Sequence, residues 1–335
     1  MKEVEMRNTK KPSRTDIVPG AGFVSLRMNR LRLVTEVNDG RCHYRPVLNQ
    51  QDLGFFDRHG YVIARQVIDR AQAERTARAV WDFAGEDPDD PATWYPEDRG
   101  IMVEMYHHQT QWDNRTAPRI HQAFSQVWGT EKLWVSHDRA SISPPSRDPN
   151  AKEHNLHWDM SLENPPFGFG VQGVLYLTDT SDDQGAFVCV PGFHKKLESW
   201  LNELPRGANP REQDLLALGT RRIGADAGDL IIWRAALPHT AGLNRSTDPR
   251  VAQYITMSPA PKNDPAARER HVAFWRDRLS GLGRYAEERE HFEIPPAKLS
   301  PLGRKLVGLD PWYRKENRYV HPVFARRRQR LRLRG

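Results

Sequence analysis

Between Lys132 and Ser258 the chain is written in short apolar or alternating runs: "LWVSHDRASIS", "HWDMSL", "FGFGVQGVLYLTD", "GAFVCVPG", "GDLIIWRAALPH" and "RVAQYITMSP". The separators "PPSRDPNAKE", "DTSDDQG" and "LNRSTDP" are built from turn formers. Strand-length runs rich in β-branched and aromatic residues, bounded by such turns, predict an antiparallel β domain. A β core from about 132 to 258 with helices packed around it from both ends follows, and a double-sheet jelly roll is the closed arrangement that suits short, separated strands.

The flanking segments carry helical signals. In "LNQQDLGFFDRHGYVIARQVID" a short helix is expected, stopped at Gly60 and followed by a strand from Tyr61 to Val67. Asp69 is a plausible N-cap for a helix to about Phe83, since Ala73, Ala77, Val80 and Trp81 recur at helical spacing. "AGEDPDDPATWYPEDRG" reads as loop, and Pro118 to Trp128 as another helix. The interruption Lys195 to Gly224 has helical turns around Leu197–Leu204 and Arg211–Leu218, and it is a candidate lid. After Pro259 "PAARERHVAFWRDRL" is helical again. The expected division is a basic N-terminal arm over 1–45, the main domain over 46–262, a C-terminal helical extension over 263–325 and an Arg-rich tail over 326–335.

Composition removes several function classes. The 335 residues are 28% charged and 38% hydrophobic, and no run of eighteen apolar residues appears, so no membrane span is expected. "MKEVEMRNTKKPSRTD" has charges with no apolar segment behind them, unlike a secretory signal. Cys42 and Cys189 are the only cysteines and form no CxxC, which speaks against a disulfide framework or a thiolate zinc site and fits a cytoplasmic protein. The net charge is +7, and the last ten residues, "RRRQRLRLRG", hold six arginines. The basic balance is thus a property of the tail, which is expected to be a solvated end and not a nucleic-acid surface.

The stretch "HNLHWDM" carries the chemistry. On a strand, His157 and Asp159 aim to one face and Trp158 to the other. A third ligand, His239, follows the buried-looking run "GDLIIW" 82 residues later. Two histidines and one carboxylate make the facial triad of non-haem Fe(II) oxygenases, which leaves positions open for O2 and substrate. Such a site needs electrons, and 2-oxoglutarate can supply them. Its distal carboxylate suits the planar fork of an arginine, and Arg250 opens the next run eleven residues after His239.

"HWD" at 157–159, "GAFVCVPGFHK" at 185–195, "GDLIIWRAALPHTAGLNRSTDPR" at 228–250 and the upstream "FFDRHGYVIARQVID" at 55–69 resemble, in order, the phytanoyl-CoA dioxygenase family. The resemblance implies a mainly β fold with flanking helices around a double-stranded β-helix, the cupin-like jelly roll. It implies Fe(II) held by His157, Asp159 and His239, and 2-oxoglutarate anchored by Arg250. Family members often carry a small hydroxyl residue two positions after the distal histidine. Here that position is Ala241, so Thr240 is the candidate for the hydroxyl contact. Related halogenases replace the carboxylate with a small residue. With Asp159 present, the resemblance implies hydroxylation or another hydrogen-abstraction outcome, on a small-molecule substrate.

Weaker candidates have plainer readings beside them. Gln172 shares a strand face with Val174 and Tyr176 and could contact cosubstrate, or could be solvated. Trp158, Tyr176, Trp233 and Arg245 are candidate substrate contacts, with packing or turn capping as the alternative. Trp94, Tyr95, Met105 and Tyr106 lie on segments suited to a pocket mouth. "GFGVQG" fits GxGxxG but has no helix signal after it, so it is not read as a dinucleotide site. His107-His108 and His137-Asp138 are adjacent pairs that point to opposite strand faces, and His154 reads as a surface histidine. Two other functions fit parts of this pattern: a binding or sensing protein that uses the basic tail, and a non-oxygenase metal cupin, which gives Arg250 no role.

Overall fold

Helix α1 (Gln50–His59) starts at Asn49, whose side chain accepts from the amides of Gln51 and Asp52 while Asp52 reaches back to the Asn49 amide. It ends at Gly60, which takes a left-handed conformation (φ 79°) and turns the chain into strand β1 (Tyr61–Ala64). Asp69 caps α2 (Arg70–Ala84), accepting from the Gln72 amide, and its expected apolar stripe is buried at Ala73, Ala77, Val80 and Trp81. The computed structural model describes residues 46–97, 100–279 and 295–313; the expected N-terminal arm and Arg-rich tail lie outside the described residues.

The remaining elements are β2 (Met102–Val103), α3 (Gln109–Arg115), α4 (Pro118–Trp128), β3 (Leu133–Val135), β4 (Ala140–Ser143), β5 (Val171–Tyr176), β6 (Phe187–Cys189), α5 (Leu197–Glu203), β7 (Arg221–Ile223), β8 (Leu230–Arg234), β9 (His239–Ala241), β10 (Arg250–Tyr254), β11 (Met257–Pro259), α6 (Pro265–Arg276) and α7 (Pro301–Val307). All strand pairs are antiparallel. A six-stranded sheet runs β1-β8-β5-β10-β4-β2, a three-stranded sheet runs β7-β6-β9, and β11 pairs with β3. This is the antiparallel jelly-roll core with flanking helices that the spacing of the runs predicts.

The large sheet is buried on both faces, which is why β8 reads as an unbroken apolar run. Leu230 and Ile232 pack with α2, α3 and α4 residues such as Val80, Trp112 and Phe124. Ile231 and Trp233 point the other way, into a second core shared with Phe187 and Cys189 of the small sheet. The same alternation places Leu175 and Val251 toward the helices and Val174, Tyr176 and Ala252 toward the small sheet.

Three local expectations resolve differently. "LWVSHDRASIS" gives two strands, β3 and β4, in different sheets, and "RVAQYITMSP" likewise divides into β10 and β11. "HWDMSL" forms no strand beyond a single bridge at His157. Its backbone leaves the ladder where the Trp158 indole turns into the core against Phe193 and Trp200. Arg211–Leu218 forms two short 3-10 turns, Pro210–Glu212 and Leu216–Leu218. Among the described residues no helix is long and apolar enough to cross a membrane.

The glycines of "GFGVQG" separate by packing. A Cβ on Gly173, in the centre of the large sheet, would lie 2.6 Å from the Ile255 carbonyl and 3.0 Å from the Phe124 ring, whereas one on Gly168 meets nothing within 4 Å. Gly173→Ala is expected to destabilise by about 2 kcal/mol, the usual cost of overpacking, with Gly168→Ala near wild type in the same thermal melt. Helix α6 supplies a pH prediction. The His271 ring stacks on Trp134 (4.7 Å) and meets His137 (4.9 Å), and burial lowers its pKa from 6.5 to about 4. The unfolded chain takes up that proton near pH 6.5 and the folded one only near pH 4, so this group makes stability fall as pH falls across that window. His271→Phe should flatten the acid slope of the melting temperature by a few degrees; parallel slopes would refute the assignment.

Candidate metal centre

His239 opens β9, directly after the turn that ends β8. The amide of His157 donates to the His239 carbonyl and the reverse bond closes the pair, both at 3.0 Å, so the two residues form an isolated antiparallel bridge. Their rings lie 4.7 Å apart between centroids. His239 is buried and its Nδ1 lies 3.0 Å from the Leu237 carbonyl. A carbonyl only accepts, so Nδ1 carries the proton and Nε2 is the nitrogen turned toward the site.

Asp159 completes the group. Its Oδ2 sits 3.2 Å from His239 Nε2 and its Oδ1 3.6 Å from His157 Nε2. One ligand atom from each of the three lies within 4.8 Å of the others. On a neutral imidazole His239 Nε2 is a lone pair, so two acceptors face each other there. A cation between them, or a second proton on the ring, resolves the conflict, and the nitrogen-and-carboxylate set suits a divalent transition metal. Contact with the His239 ring and the hydrogen bond from Gln172 hold the Asp159 carboxyl well below the usual carboxylate range. Burial, and then the neighbouring His239, lower the pKa of His157. His157 and Asp159 are thus disposed to be unprotonated at neutral pH. His157 and Asp159 side chains are half-exposed, so one side of the group stays open.

That side faces a cavity of 860 Å³ between the two sheets. Gln172, Val174, Trp233 and Arg250 line it from the large sheet, and Phe187, Thr240 and Ala241 from the small one. Arg250 is 1% exposed. One guanidinium nitrogen donates to the Ser141 hydroxyl at 3.2 Å, and Nε has no hydrogen-bond partner. No carboxylate among the described residues pairs with it, although a buried guanidinium is costly without a counter-ion.

The other expected positions divide between cavity and packing. Gln172 Nε2 donates to Asp159 Oδ2 at 2.7 Å, and its Oε1 is buried without a partner. Trp233 lines the cavity with an unpartnered Nε1. Thr240 lines it too, with its hydroxyl directed to the Ala241 carbonyl. Tyr176 is fully buried, donating to the Ile223 carbonyl and accepting from the Phe187 amide. Trp158 is packed away from the cavity and donates to the Ala236 carbonyl. Arg245 ties the outer loop to the Ala151 carbonyl. Tyr95 and Trp94 line a smaller adjoining pocket of 320 Å³, whereas Tyr106 lines a third. Sequence reasoning missed Met102, Asp138, Arg139, Phe187, Tyr254 and Thr256 as cavity wall, and His154, exposed as expected, sits on the rim of this cavity. Only Tyr254 had a signal, being four strand positions from Arg250 on the same face.

A sequence model of the phytanoyl-CoA dioxygenase family matches residues 56–252, which contain His157, Asp159, His239 and Arg250. The chain belongs to that family. Membership supports a 2-oxoglutarate-dependent non-haem iron oxygenase. A Dictyostelium discoideum protein named "Putative phytanoyl-CoA dioxygenase" is 26% identical over 259 residues, covering 61% of this chain and 74% of its own. "Ava biosynthesis cluster protein O" of Aspergillus versicolor is 25% identical over 234 residues, covering 61% and 76%. Among solved structures, GlcNAc Inducible Gene 2 (DUF1479) of Candida albicans superposes with a TM-score of 0.62 at 15% identity, over 87% of this chain and 84% of that one, a likeness of fold.

The Gln172–Asp159 bond can be tested directly. Gln172→Leu removes the donor that orients the carboxylate, and the affinity for a divalent metal should fall about tenfold with little change in melting temperature. An unchanged titration would show that Asp159 is oriented without it.

Proposed function

We propose that the protein is an Fe(II)- and 2-oxoglutarate-dependent dioxygenase that hydroxylates an unactivated C–H of a small molecule. One observation carries the reading: a buried, carboxylate-free guanidinium at Arg250 shares a cavity with the His157–Asp159–His239 group. A non-oxygenase metal cupin would use the three ligands and leave Arg250 uncompensated. In the dioxygenase the cosubstrate's far carboxylate is the missing counter-ion. Binding by a basic tail concerns residues outside those described.

His157, Asp159 and His239 would hold the iron on one side, leaving its other side to the cavity. When bound, iron couples the oxidative decarboxylation of 2-oxoglutarate by O2, giving succinate and carbon dioxide, to insertion of the second oxygen atom into a C–H bond. The chain's own part is placement. Arg250 fixes the cosubstrate's far end, and Ser141 holds the guanidinium in line. Thr240 offers a hydroxyl at the cavity wall, and Gln172 orients Asp159. Phe187, Trp233 and Val174 make the wall beside the ligands apolar, which excludes water from the reacting centre. Asp159 occupies the ligand position that a halide would need, which favours hydroxylation over halogenation. The Aspergillus relative's name supports a substrate from specialised metabolism. Two widely spaced cysteines support a cytoplasmic site of action.

Anaerobic addition of Fe(II) and 2-oxoglutarate to the purified protein should give a visible metal-to-ligand charge-transfer band. Arg250→Ala should raise the 2-oxoglutarate concentration for half-maximal band by about 10- to 100-fold, the size of a lost charge-assisted pair, and Asp159→Ala should weaken iron binding itself. Iron bound without a band would remove 2-oxoglutarate from the reading.

A further inference from the structure

The interruption between Lys195 and Gly224 has the length of a lid, yet none of the residues lining the cavity comes from it. It packs instead behind the segment that carries Asp159. That segment has no backbone hydrogen bond from the sheets, which reach it through the Gln172 side chain on Asp159. The ladder ends at His157, and among the described residues no backbone–backbone hydrogen bond joins residues 158–167 to the rest of the chain. Its backbone is held instead by side chains of the interruption. Arg211 donates one guanidinium nitrogen to the Trp158 carbonyl at 2.6 Å and another to the Met160 carbonyl at 2.8 Å. These are the two carbonyls that flank Asp159. Glu198 of α5 accepts from the Phe167 amide at 3.1 Å, and the Trp158 ring lies against Trp200 at 6.0 Å.

We infer that Arg211 is a positioning residue for the metal centre: its guanidinium clamps the carbonyls on either side of Asp159 and so fixes where the carboxylate points. The inference rests on the metal reading of His157, Asp159 and His239. A fork that spans these two carbonyls restrains the 158–159 peptide plane, which enters Asp159, and the 160–161 plane one residue beyond it, which a single ammonium cannot do. Without it, Asp159 would have to be ordered at the moment of metal binding, and affinity would fall by that ordering cost.

The test is calorimetric titration of the full-length protein with Mn(II), a redox-stable stand-in for Fe(II), with a melt of each metal-free variant. Wild type should bind and His239→Ala should not. Arg211→Ala should bind about tenfold more weakly while melting within a few degrees of wild type, and Arg211→Lys should fall between them. Arg206→Ala, an exposed arginine of the same interruption, should match wild type. If Arg211→Ala does not fold, the folded Arg211→Lys variant decides. Wild-type affinity in Arg211→Ala, or in Arg211→Lys when it alone folds, overturns the clamp while leaving the metal centre standing. Wild type that binds no better than His239→Ala overturns the metal reading, and the clamp with it.

Discussion

The site depends on one pair of backbone hydrogen bonds, those exchanged between His157 and His239. Two candidate ligands 82 residues apart become neighbours because each amide meets the other's carbonyl at 3.0 Å. In an antiparallel pair of this kind the side chains leave the ladder on the same face. The bridge therefore fixes the spacing of the rings before any metal arrives. Strand β9 transmits this to the rest of the protein: His239 pairs with Cys189 on β6, and β6 with β7. Asp159, the third member of the candidate metal group, is held by different means, with Gln172 gripping the carboxylate and Arg211 the carbonyls of Trp158 and Met160. Two ligands belong to the sheet and one to a strapped loop.

The opposite wall is governed by electrostatics. Arg250 lies at the edge of the large sheet's inner face, in line with Ala252 and Tyr254, and the chain must cross from the small sheet to the large one between His239 and Arg250. The crossing is itself braced. Asn244 is buried and donates to the carbonyls of Ser143 and Asp248, while Glu153 accepts from the Leu243 amide and pairs with Arg222. These contacts set the guanidinium across the cavity from the ligands. A cation so buried, with a hydroxyl but no carboxylate beside it, selects an anionic guest more firmly than an exposed arginine would, because the low-dielectric surroundings leave it little solvation to lose on pairing.

What could be read from the sequence follows the range of the interaction concerned. The end of helix α1 and the whole of helix α2 were legible to within a residue or two because termination at Gly60 and capping by Asp69 are local, whereas the Asn49 cap that starts α1 was not read. The strand "LIIW" was legible as buried because both of its faces are covered. The convergence of His157, Asp159 and His239 was legible because metal chemistry limits which residue types can form such a group. Sheet membership was not. Nothing local tells "LWVSHDRASIS" to divide at Ser136–Arg139 between two sheets, or "HWD" to leave the ladder after one bridge. Those outcomes are set by pairing with β10, β11 and β9. Arg250 is next in sequence to β9 but lies in the other sheet, so it faces the ligands across the cavity. The wall residues Asp138 and Arg139 sit in the irregular joint between β3 and β4, where no periodicity betrays a face.

The run "GDL" shows how a motif can be structural and still serve the site. Asp229 is wholly buried. It accepts from the Gln66 amide and from Arg65, and its other neighbours are the amides of Asp226 and the side chain of Gln66. It thereby locks the end of β1 to the start of β8, and β8 runs from there to Arg234 and through a short turn to His239. Losing these bonds together would leave a buried carboxylate without partners and would shift the strand that leads to His239, though Asp229 touches neither the cavity nor the candidate metal group. The precision of the centre is therefore inherited from the sheet. A carboxylate at one end of β8 sets the register, and a histidine just beyond the other end receives it.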